Sequence, residues 1–359
     1  MIELRNITKQ YGSVKALYEI NLRVKEGQFL TLLGPTGCGK TTLLRIIAGF
    51  VQPTSGEVIV GGRVINDIPP NRRQIGLLFQ SYALFPHMTV EENVAFGLRA
   101  RGSDKATIQR KVDEVLPMVG IEKLRTRYPA QLSGGQQQRT ALARTFAIEP
   151  RVLLLDEPLA ALDRKLRLEM QVELKKLIAR VGITTICVSH DQDEALTMSD
   201  CIALMNQGRI EQFGSPLELY DRPGSGFAAG FLGNSNLVRG GIIRDSEGSA
   251  LFESGNFRLP LDSSIHFSSG ERVTLLLRPE HLILGERQTS QSIPGTINFI
   301  TQFGHSTLYE VALDDGPVFL VSVRRSRDII SMQAGARVFV TPDGPSAYHV
   351  IRDDSPEGP

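Results

Sequence analysis

The sequence predicts an α/β domain built on a mainly parallel sheet, followed by a smaller all-β domain. First, short and almost entirely apolar runs alternate with helical patterns through about the first 230 residues. Such runs suit strands covered on both faces by crossover helices. Second, the segment after Phe231 changes to short alternating runs separated by Gly, Pro, Asp and Ser, a pattern of small strands and turns. Third, 359 residues with 41% hydrophobic content suffice for two domains.

Four apolar runs are expected to form the core strands of the first domain. They are residues 29–33 (FLTLL), 152–156 (VLLLD), 183–189 (ITTICVS) and 201–205 (CIALM). Each is four to eight residues long and carries almost no polar side chain, which favours a buried strand over a surface helix.

Helices are expected between these strands. Residues 89–92 (TVEE) form a capping-box pattern that opens one helix. Apolar positions between 108 and 119 share one helical stripe, and Gly120 is a stop signal. A third helix is expected from about Leu162 to Arg180, ending near Gly182.

The C-terminal segment differs in charge as well as in pattern. Residues 233–359 hold 11 Arg, no Lys and 15 acidic residues, a net charge of −4, and the rest of the chain has a net charge of +5. Strands are expected in RVTLLLRP, GTINFI, TLYEVAL and ARVFVTP. We expect domains at 1–233 and 234–352, a helical subdomain at about 84–148, and a frayed tail at 353–359. Nucleic-acid binding is not expected, because neutralising phosphates needs a basic surface.

Composition also bears on location. No run approaches the roughly 18 apolar residues that a membrane helix needs. The first residues, MIELRNITKQYG, lack the layout of a secretory signal. The three cysteines (Cys38, Cys187, Cys201) are odd in number and far apart, which favours a reducing compartment. These observations favour a soluble cytoplasmic protein.

A phosphate-binding loop is predicted at residues 34–41. GPTGCGKT matches G-x-x-x-x-G-K-[ST], follows an apolar strand and precedes a helical run. The glycines allow several backbone N–H groups to point into one concavity, and the next helix adds its positive end. Lys40 is expected to reach the β- and γ-phosphates, and the Thr41 hydroxyl is expected to hold Mg²⁺.

Two carboxylates follow the second apolar run. Asp156 at a strand end suits a hard cation such as Mg²⁺. Glu157 is placed to orient and deprotonate an attacking water. Alone, the pair would be interpreted as acidic residues at a strand end; with a phosphate loop in the same chain it predicts nucleotide hydrolysis.

Residues 132–136 (LSGGQ) are the most discriminating motif, since Ser133 opens a second helix N-terminus suited to an anion. With Tyr11, the phosphate loop, Gln80, VLLLD, Asp163 and His190 in this order, the chain resembles the ATP-binding subunits of ABC transporters over essentially its whole length. The resemblance implies a P-loop NTPase core of ABC type and a small C-terminal β-barrel similar to oligonucleotide-binding (OB) folds, with a regulatory or dimer-contact role. It also implies a head-to-tail homodimer, in which LSGGQ of one copy closes over ATP held by the other.

The resemblance assigns roles residue by residue. Tyr11 would stack on adenine, His190 would contact the γ-phosphate, and Asp163 would lie in the loop at the dimer interface. Ser is common in relatives where Ala160 or Ala161 stands, which puts side-chain contacts there in doubt. The expected catalytic residues are Lys40, Gln80, Glu157 and His190, and the expected Mg²⁺ ligands are Thr41, Gln80 and Asp156. The expected nucleotide-binding residues are Tyr11, Gly34, Pro35, Thr36, Gly37, Cys38, Gly39, Lys40, Thr41, Thr42, Ser133, Gly134, Gly135, Gln136 and Asp163.

Cys38 lies inside the phosphate loop and admits two interpretations. It is a small residue where a Ser would also serve, or it is a reactive thiol with a pKa lowered by the helix N-terminus. The second predicts that alkylation inactivates the enzyme and that ATP protects it.

The residues after Gln80, SYALFPHMTV, are rich in apolar and aromatic side chains. In one interpretation this segment binds a short helix of a membrane permease. In the other, Leu84, Phe85 and Met88 pack under the helical subdomain. The sequence most resembles the ATP-binding subunits of polyamine (spermidine/putrescine) importers. The corresponding subunits of importers of ferric iron, sulfate, sugars or phosphonates share much of the same sequence. The expected function is ATP hydrolysis that powers import, at the cytoplasmic face of the cell membrane, with a permease and indirectly a solute-binding protein.

Two rival functions remain at this point. A soluble ABC-type ATPase acting on nucleic acid or ribosomes would carry coiled-coil or zinc-bearing insertions or a basic arm, and none is visible in the sequence. A purely regulatory binding module would lack part of the catalytic set, yet Lys40, Asp156, Glu157 and His190 are all present.

Overall fold

The computed structural model describes residues 1–160, 162–244, 249–262, 267–289, 292–314, 316–325, 332–344 and 347–353. The chain divides into two compact units, Met1–Pro216 and Leu217–Pro359. The first unit thus ends 17 residues before position 233, where the sequence analysis set the boundary. In the tail expected at 353–359, only Asp353 belongs to the described residues. No helix in the described ranges is long and apolar enough to span a membrane.

The first unit contains ten strands and six complete helices among its described residues. The strands are β1 (Ile2–Tyr11), β2 (Val14–Val24), β3 (Phe29–Leu33), β4 (Ser55–Val60), β5 (Arg63–Val64), β6 (Ile75–Leu78), β7 (Val152–Asp156), β8 (Thr184–Ser189), β9 (Cys201–Asn206) and β10 (Arg209–Gly214). The helices are α1 (Lys40–Ala48), α2 (Val90–Ala100), α3 (Lys105–Met118), α4 (Gly134–Ala147), α5 (Arg164–Val181) and α6 (Gln192–Met198).

The predicted parallel sheet is confirmed. Its order is β10-β9-β3-β8-β7-β6, and only β10 runs antiparallel to its neighbour. Successive residues of β7 serve two different cores: Leu153 and Leu155 pack with the helical subdomain, whereas Val152 and Leu154 pack with α1 and the antiparallel strands. Burial on both faces explains why these strands are continuous apolar runs.

The helices begin and end where the local chemistry predicts. The Thr89 hydroxyl accepts from the Glu92 N–H, and the Glu92 carboxylate accepts from the Thr89 N–H, which forms the predicted capping box of α2. Helix α5 begins after Asp163, whose carboxylate accepts from the Leu166 N–H, and it ends at Gly182 in the left-handed region (φ 69°). Helices α2, α3 and α4 all lie inside the predicted subdomain at 84–148.

A second, antiparallel sheet of order β2-β1-β4-β5 was not predicted from the sequence. It packs through Ile2, Leu4 and Ile7 against the α1 side of the parallel sheet. Register shifts interrupt the pairing of β1 with β2, and Asn6 and Glu19 have positive φ there. These irregularities break the simple period of two by which strands are recognised.

The second unit is all-β apart from short helices, as predicted. It contains α7 (Pro216–Asp221, starting on the last residue of unit one), α8 (Gly226–Phe231), β11 (Asn236–Arg244), β12 (Ala250–Ser254), β13 (Phe257–Pro260), β14 (Arg272–Leu277), β15 (Leu282–Gly285), β16 (Ile293–Gln302), β17 (Ser306–Leu313), β18 (Val318–Arg324), β19 (Arg337–Pro342) and β20 (Tyr348–Arg352). Two five-stranded antiparallel sheets, β13-β12-β11-β14-β20 and β15-β19-β16-β17-β18, share one apolar core.

Candidate active site

The carboxyl ends of four parallel strands bring most of the predicted site residues to one edge of the sheet. Leu33 pairs with Ser189, and Asp156 pairs with Val188. Because the strands are parallel and in register, the segments that follow them leave the sheet on the same side. Those segments carry the phosphate loop after β3, Gln80 after β6, Glu157 after β7 and His190 after β8.

The phosphate loop is held tightly against the sheet. Gly34 has φ 152°, and a Cβ there would lie 2.2 Å from the Met205 carbonyl oxygen. Gly39 has φ 106°, and a Cβ there would lie 2.7 Å from Leu17 Cδ2. Both positions therefore require glycine for its conformation and for its lack of a side chain.

The loop leaves the first backbone N–H groups of α1 without a side-chain cap. Gly39 is the N-cap of α1 and gives the helix no side-chain cap, so the first N–H groups of α1 lack that partner. Lys40 is buried, and its Nζ donates to the carbonyl oxygens of Gly34 (2.6 Å) and Pro35 (2.9 Å). Thr36 and Gly37 are exposed at the rim. An open helix N-terminus beside an ammonium fits the predicted phosphate site.

Cys38 does not present an exposed thiol. Its side chain is 3% exposed, and its Sγ lies 3.8 Å from Lys40 Nζ. Its backbone carbonyl accepts from the Gly208 N–H at 3.1 Å, which ties the loop to the β9–β10 turn. Modification of this thiol would therefore require the loop to open.

The Asp156 carboxylate fits a cation ligand. It is partly buried and has neither a hydrogen bond nor an ion pair in the part of the chain that the structure describes. Burial and the adjacent Glu157 carboxylate raise the pKa of Asp156, and Arg45 opposes that rise. A partly buried carboxylate without a partner is unfavourable when it is ionised. A bound divalent cation would stabilise it, because such cations prefer oxygen ligands.

Glu157 and His190 meet at the same edge. His190 Nδ1 lies 3.2 Å from Glu157 Oε1. Glu157 has φ 48°, a left-handed conformation that is strained for a side chain with a Cβ, and its N–H donates to the Val188 carbonyl at 3.1 Å. The backbone strain turns the Glu157 side chain out of the strand direction, toward the residue that follows β8.

LSGGQ and Asp163 lie at other helix ends. The Ser133 hydroxyl accepts from the Gln136 N–H, and Gln136 Oε1 accepts from the Ser133 N–H, so α4 begins with a capping box. A Cβ on Gly134 would lie 3.3 Å from Leu162 Cδ2, which places the motif beside the loop that ends in Asp163. In the described residues no hydrogen bond joins LSGGQ to the phosphate loop. The N-termini of α1 and α4 are thus not joined directly by a hydrogen bond in that part of the chain.

The remaining predicted positions are exposed or half-buried, and one lies outside the described residues. Tyr11 is 49% exposed at the end of β1, with Lys9 Nζ 4.8 Å from its ring centroid. Gln80 is exposed after β6. Ala160 donates its N–H to the Glu157 carbonyl at 3.3 Å, and Ala161 lies outside the described residues.

Two site-supporting side chains were missed by the sequence analysis. The Arg144 guanidinium donates to the carbonyls of Ala83 (2.7 Å) and Tyr82 (2.9 Å) in the loop after Gln80. Arg167 donates to the Leu162 carbonyl and forms an ion pair with Asp191, which follows His190. Both are basic residues on amphipathic helices, a pattern that is also typical of solvated surfaces, so no specific sequence signal points to them.

Comparison with known proteins identifies families and relatives to which this chain is similar. A family model described as "ABC transporter" matches residues 17–160, and one described as "TOBE domain" matches residues 275–350. The spermidine/putrescine import ATP-binding protein PotA of Ruegeria pomeroyi is 46% identical, over 98% of this chain and 95% of the relative. PotA of Mesorhizobium japonicum is also 46% identical, over 98% of each chain.

A solved structure shares the fold of the first unit. The ATP-binding cassette MJ0796, in a dimeric post-hydrolysis state bound to ADP and Pi, superposes with a TM-score of 0.53 at 36% identity. It covers 60% of this chain and 99% of its own length. The predicted ABC-type core fold is thereby confirmed.

Proposed function

The chain belongs to the family of ABC transporter ATP-binding proteins, and from that premise we propose that it powers solute import through a separate membrane permease, with a polyamine such as spermidine or putrescine as cargo. The names of the PotA relatives support that cargo. The observation that carries the catalytic part is the contact between Glu157 and His190 at the sheet edge that also bears the phosphate loop.

In this proposal the loop residues bind and orient ATP. The α1 N–H groups point at the β- and γ-phosphates, and the Lys40 ammonium exchanges the Gly34 and Pro35 carbonyls for phosphate oxygens. Tyr11 offers an exposed ring to the adenine. Thr41, Gln80 and Asp156 offer the oxygen ligands that Mg²⁺ prefers. When bound, Mg²⁺ supplies neutralisation of the charge that develops on the phosphates.

Glu157 acts as the general base on water in line with the γ-phosphate. Its Oε1 accepts the water proton, and His190 Nδ1 holds that carboxylate in place while its ring faces the γ-phosphate. Two copies assemble head to tail, so that Ser133–Gln136 of one copy close over ATP held by the other, with Asp163 at their boundary. The dimeric state of the MJ0796 cassette supports this assembly.

Exposed aromatic side chains offer a surface for the permease. Phe50 and Phe79 are 57% and 41% exposed, with ring centroids 6.4 Å apart, and Phe79 immediately precedes Gln80. Phe96 is 39% exposed and lies 4.3 Å from the Phe85 ring. Leu84 packs against the helical core, as expected if the residues after Gln80 pack under the helical subdomain. We place the subunit at the cytoplasmic face of the cell membrane, with a solute-binding protein as an indirect partner.

Replacing Glu157 tests the catalytic proposal. Glu157→Gln should retain ATP binding and lower hydrolysis by about 10²–10⁴-fold, the usual contribution of a general base. With saturating ATP and Mg²⁺ the variant should elute as a dimer in size-exclusion chromatography. Glu169→Gln, an exposed change on α5, should leave both properties unchanged. Hydrolysis by Glu157→Gln at the parental rate would refute the base assignment, and monomers under these conditions would refute the dimer.

Uptake of radiolabelled substrate tests the cargo. Cells that lack this subunit should lose ATP-dependent spermidine or putrescine uptake and regain it with the parental chain, whereas Lys40→Ala should not restore it. Normal polyamine uptake with a loss of ferric iron, sulfate, sugar or phosphonate uptake would replace the proposed cargo with that solute.

A further inference from the structure

The carbonyl oxygen of Pro158, the residue after Glu157, receives side chains from two other parts of the fold. The Tyr82 hydroxyl donates to it at 3.4 Å, and Gln138 Nε2 donates to it at 3.3 Å. Tyr82 follows Gln80 by two residues, and Gln138 lies one turn into α4 after LSGGQ. This contact, which we term the Pro158 junction, joins three motif-bearing segments at one atom.

The junction is buried in an apolar surrounding. Tyr82 is 5% exposed, Gln138 is fully buried, and Leu159 and Ala141 belong to the same core. Gln138 Oε1 has no hydrogen-bond partner in the described residues. A buried amide oxygen without a partner destabilises a fold, and an apolar side chain of similar size would avoid this. The amide at position 138 is therefore poorly explained by packing alone.

Backbone strain gathers at both ends of the junction. Tyr82 (φ 58°) and Ala83 (φ 45°) are left-handed, and so is Glu157 (φ 48°). Arg144, also on α4, holds the carbonyls of Tyr82 and Ala83. Strained residues persist only where surrounding contacts determine their conformation, and such strain concentrates at functional sites.

We propose that Tyr82 and Gln138 are positioning residues that hold the Glu157 carboxylate in its reactive orientation through the Pro158 carbonyl. The Glu157 backbone is then fixed on one side by its N–H bond to Val188 and on the other by the Pro158 junction. A movement of the loop after Gln80 or of α4 is therefore transmitted to Glu157 through the Pro158 carbonyl oxygen. This inference rests on the proposed role of Glu157.

The test separates turnover from binding. Tyr82→Phe and Gln138→Met each remove one donor and keep the side-chain volume, so each should lower kcat about tenfold, the effect of one positioning hydrogen bond. KM for ATP should stay within about twofold, because neither residue touches the phosphate loop. The double variant should fall by less than the product of the single effects, since both act through one carbonyl.

A matched control is available on α5. Gln171 is 1% exposed and its Oε1 also lacks a partner in the described residues, but it donates no hydrogen bond to the Pro158 carbonyl there. Gln171→Met should keep the parental kcat. The inference is overturned if Tyr82→Phe and Gln138→Met also keep it, or if they lose activity only in proportion to a lower Tm.

Combining Tyr82→Phe with Glu157→Gln distinguishes the positioning role of Tyr82 from the role of Glu157 as the base. If Glu157→Gln loses hydrolysis, Tyr82→Phe should add no further loss in that background, because its effect passes through the absent carboxylate. A further tenfold loss there would overturn the inference and leave the base assignment intact. Parental hydrolysis by Glu157→Gln alone would instead overturn the proposed function.

Discussion

Glu194 shows how burial outweighs local hydrogen bonding at a single carboxylate. It is 4% exposed, accepts from the Ser189 hydroxyl at 2.6 Å, and lies in the first turn of α6. Burial raises its pKa; Asp191 adds to the rise, and the Ser189 bond, Arg167 and His190 oppose it. A carboxyl whose folded pKa exceeds its unfolded value destabilises the fold when ionised, and that cost disappears as pH falls through the folded pKa.

We therefore expect Glu194→Gln to raise the Tm at neutral pH. The amide oxygen still accepts from Ser189, and the buried charge is gone. The gain should shrink as the pH is lowered from neutral toward about 4.3, the ordinary pKa of a Glu side chain, because the parental carboxyl takes up its proton first in the folded state. Thermal melts across this range check the trend, with the exposed Asp193→Asn on the same helix as the control. A gain that grows on acidification would show that the folded pKa of Glu194 is lowered instead.

The burial of Cys38 predicts slow reaction with thiol reagents. Because its thiol is buried in the phosphate loop, alkylation by N-ethylmaleimide should be slow, and ATP with Mg²⁺ should slow it further by holding the loop closed. The adduct should abolish hydrolysis, and Cys38→Ser should hydrolyse ATP while resisting inactivation. Cys187 and Cys201 are also buried, and burial raises the pKa of both thiols, that of Cys201 to about 12. Equal inactivation of Cys38→Ser would assign the effect to one of them.

Helices α5 and α3 begin with the same kind of Asp N-cap, but only one of these caps lies near the proposed dimer interface. Asp163 accepts from the Leu166 N–H (3.0 Å) at the start of α5, and Asp104 accepts from the Thr107 N–H (2.9 Å) at the start of α3. Both side chains are exposed, so their structural contribution is comparable. Only Asp163 lies in the segment that the proposed dimer brings to its boundary.

Asp163→Ala and Asp104→Ala should each lower the Tm by about 2–4 °C, the effect of losing a helix N-cap. Hydrolysis should fall markedly in Asp163→Ala alone, because its carboxylate would also contact the partner copy. Calorimetry and a phosphate-release assay on both variants check this. Equal activities would leave Asp163 with a capping role only.

The sequence predicted elements well where one local signal dominates. The parallel strands were recognised because burial on both faces leaves them almost purely apolar, α2 because Thr89 opens a capping box, and the end of α5 because Gly182 is a stop signal. The sheet of β1, β2, β4 and β5 was missed because bulges at Asn6 and Glu19 break its alternation. Its strands also expose polar residues on one face, which resembles a loop-rich surface.

The site was predictable at the level of motifs but not of contacts. The loop at residues 34–41 and the pair Asp156 and Glu157 follow from residue type and flanking strands. The 3.2 Å approach of Glu157 to His190 depends on a left-handed backbone at a non-glycine residue, which no sequence pattern signals. The Pro158 junction depends on side chains separated by 76 and 20 positions from their acceptor.

For the whole molecule, Arg278 explains where the second unit begins. It is 3% exposed, and its guanidinium donates to the carbonyls of Tyr220 (2.8 Å), Ala229 (3.1 Å) and Asn234 (3.3 Å) and to Ser235 Oγ (2.6 Å). It also lies 4.0 Å from the Tyr220 ring centroid. A composition change near residue 234 marks the first strand of this unit, whereas these non-local bonds attach the preceding short helices to it.

The two units contain separate apolar cores, so we expect two calorimetric transitions with different sensitivities. Arg278→Lys should lower one transition by about 5–10 °C, because an ammonium cannot make the spread of bonds that a planar guanidinium makes. Saturating ATP with Mg²⁺, added to the Glu157→Gln chain to prevent turnover, should raise only the other transition, since ligand stabilises the unit that binds it. Arg239→Lys, an exposed change on β11, should move neither. One transition displaced by both perturbations would show instead that the units unfold as a single cooperative body.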